Sequence, residues 1–143
     1  MTEVIVVGVD GSETARRAAE SAAGLATALG AKLHVVTAFN SDRARVLGIA
    51  HDQMVFSEEK NAEKVAREAA VALRSEQLQV DHFTIRGTPA QALIQQAETH
   101  RALMIVVGSR RMQGIGRVLG SSVADSMAHN APCNVYIAKT DQP

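Results

Sequence analysis

Residues 4–12 are VIVVGVDGS, an unbroken apolar run that ends in a polar turn. A run of Val and Ile without polar alternation is typical of a strand buried on both faces, as in a parallel sheet. Asp10 and Gly11 break the run, and Ser12 is followed by Glu13, a pattern that favours a helix cap with an acidic first turn. The stretch therefore predicts a buried strand, a tight turn and the start of a helix.

The segment that follows completes a βαβ unit. Apolar residues recur at helical spacing from Ala15 to Leu29, and Gly30 stands where a glycine commonly ends a helix. Residues 33–39, LHVVTAF, then predict a second strand. Two strands joined through a helix lie parallel in one sheet, and their connection is right-handed.

The rest of the chain continues this alternation. Residues 40–57 lack periodicity and predict a loop with one short turn. Beyond them the patterns predict a helix over 58–73, a strand over 80–86, a helix from the capping box at Thr88 to Glu98, a strand over 103–108, a helix over 123–129 and a strand over 134–138. We therefore expect an α/β fold, an open five-stranded parallel, Rossmann-like sheet with helices on both faces, as a single domain over residues 1–143.

The composition argues against several classes of function. Fifteen Lys and Arg balance fifteen Asp and Glu among 143 residues, whereas nucleic-acid-binding proteins usually carry a basic excess. The one cysteine, Cys133, excludes an internal disulfide and a multi-thiolate metal site, and the five histidines show no paired metal-ligand spacing. The N-terminal apolar run is too short for a signal peptide or a membrane span. We expect a cytoplasmic protein that binds neither nucleic acid nor membranes.

Signatures of catalysis are absent from the sequence. The chain has no G-x-x-x-x-G-K-[ST] motif, and its first turn, GVDGSE, lacks the G-x-G-x-x-G of dinucleotide-binding folds. Neither a serine elbow nor a carboxylate pair stands out. Nothing here predicts an enzyme with its own catalytic machinery.

Residues 108–122, GSRRMQGIGRVLGSS, are the most informative stretch for function. The four glycines would let backbone amides approach an anion, and the two serines at the end open a helix whose N-terminus favours phosphate. Arg110, Arg111 and Arg117 would add charge-assisted contacts. The alternative is a loop whose arginines are merely solvated, and the segment by itself leaves both interpretations open.

Asp10 also has two interpretations. Ligands of open parallel sheets bind at the carboxyl ends of the strands, where a carboxylate can accept hydrogen bonds from ribose hydroxyls or an adenine amine. The alternative is structural, since Asp-Gly-Ser is a favourable turn between a strand and a helix. From this residue alone the structural interpretation is favoured.

Taken together, these motifs resemble the universal stress protein family. The resemblance runs from Val4 to Ala138 and rests on VIVVGVDGS at 4–12, Gly87-Thr88-Pro89, IVVGSR at 105–110, and Leu119 to Val123 with Ala131-Pro132-Cys133. It implies the strand order 3-2-1-4-5 and an architecture like that of the adenine nucleotide alpha-hydrolases. It also implies a cytoplasmic location and a homodimer paired through the last strand, Val135 to Ala138.

Some members of the family bind ATP through the pattern G-x-x-G-x(9)-G-[ST], which the resemblance places after the fourth strand. Gly108 matches the first glycine, whereas the second falls on Arg111. The third falls on Ser121, followed by Ser122, and a shift of one residue recovers Gly120 in its place.

Other positions match the family outside this pattern. Asp10 matches the aspartate that contacts the nucleoside, Ala38 the position whose backbone meets adenine, and Val107 the neighbour of the first glycine. Together with the strand ends and the glycine-rich segment, they give the candidate nucleotide-binding residues Gly8, Val9, Asp10, Ala38, Val107, Gly108, Arg110, Arg111, Gly114, Gly120, Ser121, Ser122 and Val123.

The resemblance implies a small stress-response protein that binds ATP or another adenine nucleotide, with Mg²⁺ accompanying ATP. Arg111 keeps a second interpretation open, because its side chain would either block the pocket or pair with the phosphates. A blocked pocket would leave a nucleotide-free, dimeric interaction protein of the same fold. Catalysis would amount at most to weak ATP hydrolysis, for which the sequence offers no obvious general base.

Overall fold

The computed structural model describes residues 2–40, 51–109 and 123–140. All five predicted strands are present, each within one residue of its predicted bounds. The elements follow in the order β1 (Val4–Gly8), α1 (Glu13–Leu29), β2 (Lys32–Phe39), α2 (His51–Leu73), β3 (Val80–Arg86), α3 (Pro89–His100), β4 (Met104–Gly108), α4 (Val123–Asn130) and β5 (Asn134–Ala138). Within these ranges, no helix is long and apolar enough to cross a membrane.

The strands form one parallel sheet in the order β3-β2-β1-β4-β5, which confirms the predicted fold and strand order. β1 lies in the centre, with its Val7 opposite Val35 of β2 on one side and Val106 of β4 on the other. The chain builds outward from β1 to β3 and then crosses back to place β4 beside β1. The strand order thus reverses between β1 and β4, and such a reversal opens a crevice at the carboxyl ends of the two strands.

Helices cover both faces of the sheet, as the sequence predicts. Ile5 and Val7 pack towards α1 and α2 on one face, whereas Val4 and Val6 pack towards α3 and α4 on the other. The contact face of α1 is made of small side chains, which let the helix lie close to the strands: Ala18, Ala19, Ala22 and Ala26.

The caps of α1 and α3 confirm two further predictions. The Ser12 hydroxyl accepts a hydrogen bond from the Ala15 amide at 3.2 Å, and Gly30 ends α1 in the left-handed conformation, with φ of 67°. At α3, the Thr88 hydroxyl accepts from the Gln91 amide at 3.2 Å while the Gln91 side chain accepts from the Thr88 amide at 3.0 Å. This capping box fixes the start of α3 at the edge of the sheet where the strands end.

One predicted boundary is wrong. The sequence predicts a loop as far as residue 57, whereas α2 begins at His51. Met54 and Val55 stand eight and seven residues before Ala62, so they continue the helical spacing of the apolar positions backwards. The predicted loop over 41–50 lies outside the described residues.

Candidate functional site

A cavity opens in the crevice between β1 and β4. Its volume is about 90 Å³, well above the roughly 10–15 Å³ that one water molecule needs, so it has room for a ligand group. The wall is mostly apolar, as is usual for small-molecule sites. It consists of Gly8, Val9, Asp10, Val36, Ala38, Val106, Val107 and Gly108 from the strands and their ends, Thr14, Ala15, Ala18, Pro89, Ala92 and Leu93 from α1 and α3, and Thr140.

Asp10 is the one charged side chain among the described residues of this wall. Its Oδ1 accepts a hydrogen bond from the Ser12 amide at 2.9 Å, which ties the carboxylate to the turn that starts α1. Because a carboxylate accepts several hydrogen bonds at once, this structural bond is compatible with a ligand contact. The two interpretations of Asp10 therefore do not compete: the same group shapes the turn and lines the cavity.

Two strands end in glycine at the cavity, and each glycine makes room for a different neighbour. A Cβ on Gly8 would lie 3.3 Å from Cδ2 of Leu93, and a Cβ on Gly108 would lie 3.0 Å from Oγ1 of Thr140. Both distances are shorter than the usual optimal separation of non-bonded atoms. A side chain in place of Gly8 would thus collide with Leu93 of α3. One in place of Gly108 would collide with Thr140, which follows β5.

The first turns of two helices also reach this cavity. Thr14 belongs to the first turn of α1, and Pro89 is the first residue of α3. Helix starts carry unpaired amides and a partial positive charge, which suit polar or anionic ligand groups. The cavity thus combines an apolar wall and one carboxylate with the capped starts of two helices.

A second, wider groove lies between the end of β2 and α2, and it shares Asp10 and Ala38 with the cavity. Thr37 on its wall is 5% exposed, and its Oγ1 has no hydrogen-bond partner among the described residues. Glu58 and Asn61 of α2 complete the polar part of this groove. The open shape makes it a weaker candidate for ligand binding than the cavity between β1 and β4.

The structure brings together the candidate residues that come from different strands. Gly8, Val9, Asp10, Ala38, Val107 and Gly108 all line the same cavity. The other predicted positions, Arg110, Arg111, Gly114, Gly120, Ser121 and Ser122, lie outside the described residues, and Val123 is the first residue of α4.

Sequence reasoning missed the part of the wall that comes from helices and from beyond β5. Leu93 and Pro89 belong to α3, and Thr140 stands two residues after the last strand. A signal for Thr140 was available, because parallel strands end at the same edge and the residues that follow any central or neighbouring strand gather there. Leu93 gave no such signal, since its spacing only indicated a helix face.

Away from the cavity, a polar cluster is buried between the sheet and α3. His34 is 5% exposed, its Nδ1 lies 3.0 Å from Nε2 of Gln96, and its ring centroid lies 4.7 Å from those of Phe83 and His100. Burial, followed by the nearby His100, lowers the pKa of His34 to about 4. The imidazole is therefore neutral near pH 7 and packs between Gln96, Phe83 and His100.

Among the described residues, the cysteine and the possible metal ligands give no evidence of a second site. Burial raises the pKa of the Cys133 thiol, which disfavours the nucleophilic thiolate. Within the part of the chain that the structure describes, no group of three or more His, Cys, Asp or Glu could hold a metal ion.

Comparison with known proteins identifies relatives over nearly the whole chain. Residues 1–139 match the model of the universal stress protein family. A universal stress protein of Thermus aquaticus is 32% identical over 139 residues, which cover 97% of this chain and all of the relative.

Solved structures share the fold over a similar extent. A universal stress protein in complex with cAMP superimposes with a TM-score of 0.71 at 26% identity, covering 98% of both chains. The universal stress protein from Archaeoglobus fulgidus in complex with dAMP superimposes with a TM-score of 0.69 at 23% identity, covering 97% of this chain and 98% of that one.

Proposed function

This chain belongs to the universal stress protein family, and on that premise we propose that it binds an adenine nucleotide, with ATP as the expected ligand. The observation that carries the proposal is the apolar cavity at the strand-order reversal, with one carboxylate, Asp10, on its wall. Open α/β sheets bind ligands at such reversals. A solved relative at 26% identity is in complex with cAMP, which supports the choice of an adenine nucleotide.

The described residues fit the nucleoside half of such a ligand. A planar base needs an apolar slot, which Val36, Ala38, Leu93 and Val107 offer. Asp10 would accept hydrogen bonds from the ribose hydroxyls or the base amine. The glycines that end β1 and β4 let Leu93 and Thr140 pack close to the strands and form the cavity wall beside these groups.

The phosphates would be bound by the glycine- and arginine-rich segment that begins at Gly108. Its glycines and terminal serines suit close amide contacts, and Arg110 and Arg111 supply positive charge. Mg²⁺ would enter with ATP and be held by the phosphates, since the described residues offer no cation site of their own.

Asp10→Asn tests the nucleoside half most directly, because the amide oxygen can still accept from the Ser12 amide while the charge is lost. We expect the wild type to bind adenosine, AMP and ATP in calorimetry, and the variant to bind all three about tenfold more weakly. Asp81→Asn, an equal charge change on β3 away from the cavity wall, is the matched control. Mass spectrometry of small molecules released by denaturing the protein identifies the natural nucleotide.

Arg111 and Ser122 test the phosphate half. Ser122→Ala should weaken ATP about tenfold and leave adenosine unchanged, because only ATP reaches the phosphate segment. Arg111→Gly should loosen ATP if the guanidinium pairs with phosphate and tighten it if the side chain obstructs the pocket. Gly108→Val is a poor probe here, since its side chain would also collide with Thr140.

We further propose that the chain folds as one domain and forms a homodimer. In this dimer, β5 pairs antiparallel with β5 of the second copy. β5 is an edge strand with unpaired backbone groups, and consecutive side chains on its two faces, Tyr136 and Ile137, are 45% and 41% exposed. Light scattering should give the mass of two copies for the wild type and of one copy for Ile137→Lys. Thr84→Lys on the opposite edge strand, β3, is the control, and a monomeric wild type contradicts the pairing.

The alternative function is that of a nucleotide-free, dimeric interaction protein in the cytoplasm. It predicts a dimer in light scattering but no heat of binding for any adenine nucleotide at millimolar concentration. If the protein hydrolyses ATP weakly, its rate should exceed the uncatalysed background, and Asp10→Asn should abolish that excess. Cell fractionation tests the cytoplasmic location.

A further inference from the structure

Thr140 contributes to the cavity although it lies outside every strand and helix. It stands two residues beyond the end of β5 and is 1% exposed. It belongs to the same cavity wall as Asp10 and Gly108. A residue outside the regular elements ordinarily lies at the surface, so its burial calls for a specific cause.

Two hydrogen bonds hold the backbone of Thr140 at this position. Its amide donates to Oγ of Ser109 at 3.0 Å, and its carbonyl oxygen accepts from Nη1 of Arg17 at 3.4 Å. Ser109 directly follows β4, and Arg17 belongs to α1. Thr140 is therefore anchored to both elements that flank this end of the cavity.

The side chain of Thr140 fills the space that a side chain on Gly108 would need. A Cβ on Gly108 would lie 3.0 Å from Oγ1 and 3.4 Å from Cγ2 of Thr140, and 3.7 Å from Cβ of Ala18. In a close-packed interior, that space has one occupant. The shape of the cavity beside Gly108 is thus set by a residue from the C-terminal segment and not by β4 itself.

We propose that Thr140 is a specificity-determining residue of the nucleotide site, with its side chain forming the wall where the nucleoside meets the first phosphate. This inference rests on the proposed function. Asp10 and Ala38 line the part of the cavity proposed for the nucleoside, and Gly108, the last residue of β4, marks where the proposed phosphate site begins. A residue packed on Gly108 borders the junction of the two, so its size decides whether a phosphorylated ligand fits.

Thr140→Leu tests the inference, with AMP and adenosine as probes in calorimetry. The larger side chain should weaken AMP at least tenfold and adenosine less than threefold. Thr140→Ser, which keeps the hydroxyl and adds no volume, should bind both ligands within threefold of the wild type. Val135→Ala, on β5 but outside the cavity wall, is the control: it should lower the melting temperature and leave both affinities unchanged.

The outcomes separate the inference from the proposed function. If the wild type binds AMP and Thr140→Leu binds it equally well, the wall assignment is wrong and nucleotide binding stands. Equal weakening of AMP and adenosine also overturns it, because a general loss of structure has no preference for phosphate. Should Thr140→Leu fail to fold, Thr140→Ile and Thr140→Met provide the same increase in size in other shapes. A wild type that binds no adenine ligand overturns both statements.

Discussion

The two faces of the sheet contain different kinds of core. The face towards α1 and α2 is built from Val, Ile, Leu and Ala, with two buried polar side chains among the described residues, Thr37 near the carboxyl end of β2 and Thr140 beyond β5. The face towards α3 and α4 also has an aliphatic core, but it includes the buried pair His34 and Gln96. Among the buried side chains that the structure describes, the titratable one, His34, belongs to the second face.

The two faces of the sheet should therefore differ in how their stability depends on pH. The described buried side chains that pack against α1 do not titrate, so we expect this packing to respond little to pH. Packing against α3 requires His34 to stay neutral, and α3 supplies Leu93 and Pro89 to the cavity. Acid should therefore act first on the face that forms one wall of the proposed nucleotide site.

The largest expected effect tests whether the two faces pack equally well. Ile5 and Ile105 are both 0% exposed and face opposite sides of the sheet. Ile5→Ala and Ile105→Ala should each lower the free energy of unfolding by about 2–5 kcal/mol, through lost burial and the cavity left behind. Urea denaturation measures both. Val71→Ala, at a position 60% exposed, should change it by less than about 0.5 kcal/mol.

A loss at Ile5 far larger than at Ile105 would show that the α3 face is loosely packed. The two faces would then differ in packing density, and the titration of His34 would not explain the difference.

The next effect is the pH dependence that His34 confers. Its pKa is about 4 in the folded protein, against 6.5 as its ordinary value, so the unfolded chain binds more protons between these values. The stability due to neutral His34 is complete above pH 6.5 and is lost as the pH falls towards 4. The full loss is on the order of 3 kcal/mol. Urea midpoints at several pH values measure it.

His34→Gln is the matched variant, because it keeps a polar partner for Gln96 but does not titrate. Its stability should fall less steeply than that of the wild type between pH 6.5 and 4. Parallel slopes for the two proteins would assign the acid sensitivity to other groups, and the contrast between the faces would be lost.

The smallest expected effect comes from Thr37, whose buried hydroxyl lies on the α1–α2 face. Thr37 Oγ1 is buried with no partner among the described residues, so Thr37→Val should raise the free energy of unfolding by about 1 kcal/mol. Thr27→Val is the contrast, since the Thr27 hydroxyl donates to the Ala23 carbonyl at 2.8 Å. A loss of stability in Thr37→Val would mean that a ligand or water satisfies this hydroxyl in solution.

Some features of the fold and site follow from short-range pattern. The apolar runs, the Ser12 and Thr88 caps and the glycine stop at Gly30 each act within a few residues. Alternation of strands and helices then requires a parallel sheet, whose carboxyl ends share one edge. For this reason the sequence could place Asp10, Ala38 and Gly108 at one edge of the sheet, where they line one cavity, whereas their role in nucleotide binding stays a prediction. The start of α2 was missed because Met54 and Val55 are too few to show periodicity by themselves.

Only the tertiary structure decided which distant residues share a buried space. His34 and Gln96 are 62 positions apart, and Arg17 and Thr140 are 123 positions apart. Such pairs leave no local pattern, because each side chain is compatible with its own strand, helix or tail without the other. The sequence by itself determined at which edge of the sheet the cavity opens, through hydrophobic periodicity and strand direction. The shape of that site, with Leu93 on one side and Thr140 on the other, was decided by close packing between elements that meet only after folding.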